Sequence, residues 1–146
     1  RPDLNITLMD STKKKLGVIE DILNNIGLVA NVVHSRAEEA GKAADFREKY
    51  DFATARAVTN LRDLTEICLP FVKLGGYFIP LKGAGAKEEI DGAKKAIDIL
   101  GGKLNKTDIF SLDHCGERAV IHVEKISQTP PKYPRPSAQI AKKPLI

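Results

Sequence analysis

The chain has 146 residues, 23 basic and 19 acidic side chains and a formal net charge of +4, a size that supports one domain around a single core. No apolar run approaches the ~20 residues of a membrane span. No apolar segment with a small-residue cleavage site follows Arg1, so no signal peptide is expected, and the chain reads as cut from something longer. The charge is uneven. Beyond Glu124 lie Lys125, Lys132, Arg135, Lys142 and Lys143 with no acidic residue, while residues 1–124 carry 18 basic and 19 acidic side chains. Such a tail suits an anionic partner, phosphate first, or else serves only to keep the chain soluble. Cys68 and Cys115 stand apart without CxxC spacing, which fits a reducing, cytoplasmic compartment and two buried or half-buried thiols.

In chain order, Leu4 to Met9 is a short β-type run that stops at Asp10-Ser11. Ser11 or Thr12 is placed to cap a helix in which Leu16, Ile19, Ile22, Leu23 and Ile26 recur at helical spacing, with Gly27 as its stop. Leu28 to Val33 is a second β run, and Ala40 to Lys49 reads as a short polar helix containing Phe46. Tyr50 to Val58 is an apolar run expected to be a buried parallel strand, with Arg56 emerging at its carboxyl end. Asn60 caps the next helix, which shows Leu61, Leu64, Ile67 and Cys68 on one face and closes at Pro70 and Gly75-Gly76. Gly76 to Leu81 is another strand. A helix from about Lys87 follows, with Ile90, Ala93, Ile97 and Leu100 on one face. Lys103 to Leu112 and Ala119 to Val123 are joined by a turn short enough for an antiparallel hairpin. Residues 1–125 thus read as an α/β domain with a mostly parallel sheet, and residues 126–146, with five of the eight prolines, as an extended basic tail docked on it.

Open α/β sheets bind ligands beyond the carboxyl ends of their strands. Asp10 sits at such an end and is either a helix cap or an acceptor for ribose hydroxyls. Arg36-Ala37-Glu38 follows the second strand, as a solvated loop or part of a site. Arg56 is the strongest single candidate, because a guanidinium at a strand end is costly to bury without a partner. Gly83-Ala-Gly85 lies after a late strand and lacks the third glycine of a dinucleotide loop. His34, His114 and His122 have no metal-ligand spacing, and no metal is expected.

Several motifs point further. Thr7-Leu-Met-Asp-Ser11, Ser35-Arg-Ala-Glu-Glu39, Tyr50-Asp-Phe-Ala-Thr-Ala-Arg-Ala-Val58, Lys73-Leu-Gly-Gly76, Leu81-Lys-Gly83, Thr129-Pro-Pro-Lys-Tyr-Pro-Arg135 and Ala141-Lys-Lys-Pro-Leu145 occur in this order along the whole chain. Together they resemble the bacterial small-subunit (16S) ribosomal RNA guanine-N7 methyltransferase family, also called the glucose-inhibited division protein B family. The resemblance implies a class I, Rossmann-like methyltransferase fold using S-adenosylmethionine (SAM), monomeric at full length. It implies that Asp10 faces the cofactor ribose, that Ala37 and Glu38 meet the adenosine end, and that Arg56 lies in the active cleft near cofactor and target base. Lys82, Lys132, Arg135, Lys142 and Lys143 would meet phosphates of the ribosomal RNA. It also implies that the N-terminal part of the fold, with the glycine-rich cofactor loop and a strand lying between the Asp10 and Arg56 strands, should precede Arg1. The chain is therefore expected to be an inactive C-terminal portion. The competing readings are an NAD-type Rossmann oxidoreductase and a non-catalytic RNA-binding module.

Overall fold

The computed structural model describes residues 1, 3–114 and 116–146, so Cys115 of the expected thiol pair lies outside the described residues. The alternating order holds: β1 (Thr7–Asp10), α1 (Lys13–Ile26), β2 (Asn31–His34), α2 (Ala37–Ala40), β3 (Tyr50–Arg56), α3 (Leu61–Cys68), β4 (Val72–Lys82), α4 (Ala86–Ile99), β5 (Gly102–Leu112), β6 (Gly116–Lys125) and α5 (Ser137–Lys142). Gly27 ends α1 in the left-handed region at φ 67°, and the N–H groups of Gly27 and Leu28 close onto the Asn24 and Leu23 carbonyls. Asn60 caps α3 by accepting the Asp63 N–H at 3.0 Å. Thr12 occupies the cap position of α1, but its side chain makes no cap bond.

β1 and β2 pair in parallel, with Asp10 opposite His34. The other four strands form a sheet in the order β3-β4-β6-β5, in which β3 and β4 are parallel and the β5–β6 hairpin is antiparallel. Among the described residues no strand ladder joins the two sheets; Tyr50 Oη, donating to Thr7 Oγ1 at 3.4 Å, reaches from one to the other. The expectation that Phe52 to Ala55 is buried is corrected. Phe52 is 63% exposed and Thr54 and Arg56 are exposed: these three share one face of β3, while Ala53 and Ala55 on the opposite face pack against the core. β4 starts earlier than expected, at Val72, and absorbs Gly75 (φ 78°) within an irregular register against β3.

The core lies between one face of the four-stranded sheet and α3 and α4. Leu61, Leu64, Phe78, Ala93, Ile97, Leu100, Ile121 and Val123 are all buried there. This follows from the helical spacing of the apolar residues in α3 and α4 set against the period-2 alternation of β4 and β6. The expected helix from Ala40 to Lys49 is also corrected: α2 ends at Ala40 and residues 41–48 wind through turns. The reason is tertiary. Glu48 is held at φ 53° with its N–H on the Pro70 carbonyl at 2.9 Å, and Arg47 turns away to the tail.

Residues 126–146 pack on the domain and include α5, a helix where only extended chain was expected. Gly101 starts the docking: at φ 83° its carbonyl accepts the N–H groups of Ile126 and Ser127, and a Cβ there would collide with the Ser127 carbonyl. Arg47 then donates to four tail-side and local carbonyls: Gly41 (2.9 Å), Tyr133 (2.8 Å), Thr129 (2.6 Å) and Pro130 (3.4 Å). Lys125, wholly buried, donates to the Leu69 carbonyl at 3.1 Å and to Thr129 Oγ1, and lies 3.3 Å from Glu48 Oε1.

Candidate nucleotide cleft and basic tail

The parallel strands deliver Asp10, His34, Arg56 and Lys82 at their carboxyl ends, the edge where α/β sheets take ligands. Asp10 Oδ1 accepts the Thr12 N–H at 2.7 Å and Oδ2 lies 3.4 Å from Lys15 Nζ. The Thr12 backbone bond, with a smaller share from Lys15, holds this carboxyl below its ordinary value. It is therefore an ionised acceptor, and with about four lone-pair positions it retains capacity for ribose hydroxyls. His34 Nε2 lies 3.0 Å from the Ser11 carbonyl and the Ser35 N–H donates to the Asp10 carbonyl at 3.3 Å, so the β2 end is tied to the β1 end. Ala37 and Glu38 open α2 beside this point. The Glu38 side chain is 12% exposed, with exposed Arg36 3.5 Å away.

Arg56 is exposed and, among the described residues, makes no hydrogen bond or ion pair. Directly after it Ala57 adopts φ 55°, which bends the chain sharply away from the strand toward α3. An alanine in the left-handed region is disfavoured by about 1–2 kcal/mol, so the bend must be held by its surroundings.

The residues expected at phosphates divide into two groups. Lys132, Lys142 and Lys143 are exposed, and Lys132 Nζ lies 5.2 Å from the centre of the Tyr133 ring. Lys82 and Arg135 face inward instead. Lys82, with a 9% exposed side chain, donates to the Thr59 carbonyl at 2.6 Å and lies 2.8 Å from Glu89. Arg135 grips buried Glu66 through Nε (2.7 Å) and Nη2 (2.6 Å), while its backbone N–H donates to the same carboxylate at 2.9 Å. Hydrogen bonding to Glu66 raises the Arg135 pKa above its ordinary value. An open groove of about 370 Å³ separates α2 from the tail, lined by Arg36, Glu38 and Lys42 on one side and Pro134, Pro136 and Ser137 on the other. The candidate adenosine loop and the basic tail are thus neighbours.

Sequence reasoning passed over Arg47, Glu48, Glu66 and Glu89, and counted Lys125 with the basic tail, although all five charges are used inside the fold. Arg47, Glu48 and Glu89 lie in charged stretches that give no local signal, and Glu66 and Lys125, beside apolar runs, have a signal that names no partner. Burial pushes the Cys68 thiol up to about 12, so it is an inert packing group. Among the described residues no cluster of His, Cys, Asp or Glu is placed to hold a metal, and no described helix is long and apolar enough to cross a membrane.

The family model for rRNA small subunit methyltransferase G matches residues 1–124. The chain belongs to this family. The ribosomal RNA small subunit methyltransferase G of Clostridium novyi is 47% identical over an alignment of 148 residues, covering 100% of this chain and 61% of that protein. The chain thus spans about three-fifths of the length of the curated relatives it matches. Among solved structures, an rRNA methylase from Streptococcus thermophilus superposes with a TM-score of 0.57 at 13% identity, covering 84% of this chain and 74% of that one. A SAM-dependent O-methyltransferase from Thermotoga maritima gives a TM-score of 0.59 at 10% identity, covering 88% and 53% respectively. At such identities these structures establish the fold alone: the class I methyltransferase α/β fold.

Proposed function

We propose that the whole protein is a cytoplasmic, monomeric SAM-dependent methyltransferase that modifies N7 of a guanine in small-subunit (16S) ribosomal RNA. This chain contributes the far wall of the cofactor cleft and the RNA-facing tail. Family membership supports the reaction class, and exposed Arg56 at the carboxyl end of β3, with no hydrogen-bond or ion-pair partner among the described residues, is the observation that carries the site. The 146 residues alone are expected to be inactive, because no glycine-rich dinucleotide loop follows a strand within them.

The residues at the sheet edge fit the cofactor's chemistry: an ionised acceptor at Asp10 suits ribose hydroxyls, and the Ala37–Glu38 turn beside it suits the adenosine end. SAM, when bound, supplies an electrophilic methyl group. Guanine N7 carries an in-plane lone pair and no proton, so the reaction calls for no general base. What this chain has to do is position the partners and exclude water. Arg56 orients the target base or the cofactor, and exposed Lys132, Lys142 and Lys143 hold the RNA backbone.

Arg56→Ala in the full-length protein should lower methylation roughly ten- to thousand-fold, the span set by misplacing one positioning group. The circular dichroism spectrum and melting temperature should stay unchanged. Turnover equal to wild type would remove Arg56 from the site. Equilibrium binding of labelled SAM and of NAD to the same protein separates this reading from a dehydrogenase. Salt-dependent RNA binding without SAM affinity would favour an RNA-binding module.

A further inference from the structure

Lys82 leaves the carboxyl end of β4 and, instead of reaching into solvent, turns under the loop that follows Arg56. Its Nζ donates to the Thr59 carbonyl at 2.6 Å and lies 2.8 Å from Glu89 Oε2. The same Glu89 oxygen accepts the Leu61 N–H at 2.6 Å. Thr59 and Leu61 flank Asn60, the residue that caps α3. One ion pair, drawn from β4 and α4, therefore grips both sides of the turn that begins at Ala57. Only residues 57–60 separate Arg56 from Leu61, so little slack remains between the gripped turn and the guanidinium's backbone.

We propose that Lys82 and Glu89 are positioning residues for methyl transfer. They fix the turn after β3, and through it Arg56, and Lys82 does not touch RNA phosphate. The inference rests on the role given to Arg56 above. Its physical basis is that the left-handed Ala57 persists only where neighbouring groups over-determine it. A displacement of about 1 Å in a positioning group is enough to lower a rate by about 10²-fold. Lys82 is suited to this task. Its ammonium is almost fully withdrawn from water, and it is satisfied by one carbonyl and one carboxylate of the same short turn network.

The test uses the full-length protein with small-subunit ribosomal RNA and labelled SAM. Lys82→Met should lower kcat roughly ten- to hundred-fold, while KM for RNA and its salt dependence stay within about two-fold. Glu89→Gln, which keeps an acceptor for Leu61 but removes the charge, should reproduce that loss. Lys82→Arg should retain most of the activity. In an Arg56→Ala background, Lys82→Met should change kcat less than about two-fold, because residues acting as a unit are non-additive. Independently of activity, hydrogen exchange at the Leu61 amide should speed up roughly ten-fold or more in Glu89→Gln and Lys82→Met. Three results would overturn the proposal: a raised KM with a flatter salt dependence in Lys82→Met, full additivity with Arg56→Ala, or unchanged Leu61 exchange. A wild-type protein that fails to methylate the RNA would overturn the functional reading instead, with exchange at Leu61 still deciding whether the pair holds the turn.

Discussion

Replacing Arg135 by Met tests how the tail is held. The substitution keeps the apolar stem and the backbone N–H, which donates to Glu66 at 2.9 Å, but removes three side-chain donors: Nε and Nη2 on Glu66 at 2.7 and 2.6 Å, and Nη1 on the exposed Lys143 carbonyl at 2.7 Å. Glu66, with a side chain 1% exposed, is then left as a buried carboxylate without a cation. Removing one partner of a buried pair costs about 3–5 kcal/mol. The Arg135 side chain is 14% exposed, which allows some solvent relief and favours the low end, about 3 kcal/mol. For a chain of this size that lowers the melting temperature by roughly 6–12 °C. Glu66→Met/Arg135→Met removes both charges and replaces them with apolar groups. It should lie within about 1–2 kcal/mol of wild type, because exchanging a whole buried pair for apolar side chains is close to neutral. Urea unfolding of the four proteins of this cycle, followed by far-ultraviolet circular dichroism, gives the coupling free energy. An Arg135→Met loss below about 1 kcal/mol, or a double variant no more stable than Arg135→Met, would refute the reasoning that the tail is clamped by charge.

Two further outcomes are expected. Burial lowers the Lys125 ammonium from 10.5 to about 8, with Glu48 only partly opposing the effect. Below pH 8 the folded and unfolded chains both hold the proton and the fold bears the desolvation in full. Between about pH 8 and 10.5 the folded chain releases it first, so this group's contribution to stability rises with pH by up to about 3 kcal/mol. Chemical denaturation from pH 7 to 10 should show this rise as a difference between wild type and Lys125→Met, and parallel pH profiles would count against it. For the tail, Lys132→Ala, Lys142→Ala and Lys143→Ala should each weaken RNA binding regardless of sequence and reduce the slope of log affinity against log salt by about 0.7–0.9. Fluorescence anisotropy across a potassium chloride series checks this, and an unchanged slope in the triple variant would exclude the tail from the RNA contact.

Much of the backbone was legible because periodicity and punctuation are local. The helical spacing of Leu61 and Leu64, the Asn60 cap, the Gly27 stop and the β5–β6 hairpin depend on residues a few positions apart, and each appears where its signal lies. Asp10 and Arg56 could be placed at strand ends for the same reason. What local pattern does not encode is the partner chosen by a charged group. Lys82 at a strand end and Arg135 between prolines are, in sequence, basic residues with no partner marked, as Lys142 is, yet they pair with Glu89 and Glu66 because the packing of α3, α4 and the tail withdraws them from water. The helix expected over residues 40–49 does not form for a related reason: Arg47 and Glu48 gain tail carbonyls, the Thr129 N–H and Lys125 by leaving helical geometry. Exposure of Phe52, Thr54 and Arg56 likewise depends on what covers their face of β3, a fact about neighbours in space. The sequence by itself determined the order of elements, the family and which residues stand at the carboxyl ends of the parallel strands. Only the tertiary structure decided which cations stay exposed, as Lys132, Lys142 and Lys143 do, and which are drawn into ion pairs, as Lys82 and Arg135 are, because desolvation and ion pairing depend on contacts between residues far apart in the chain.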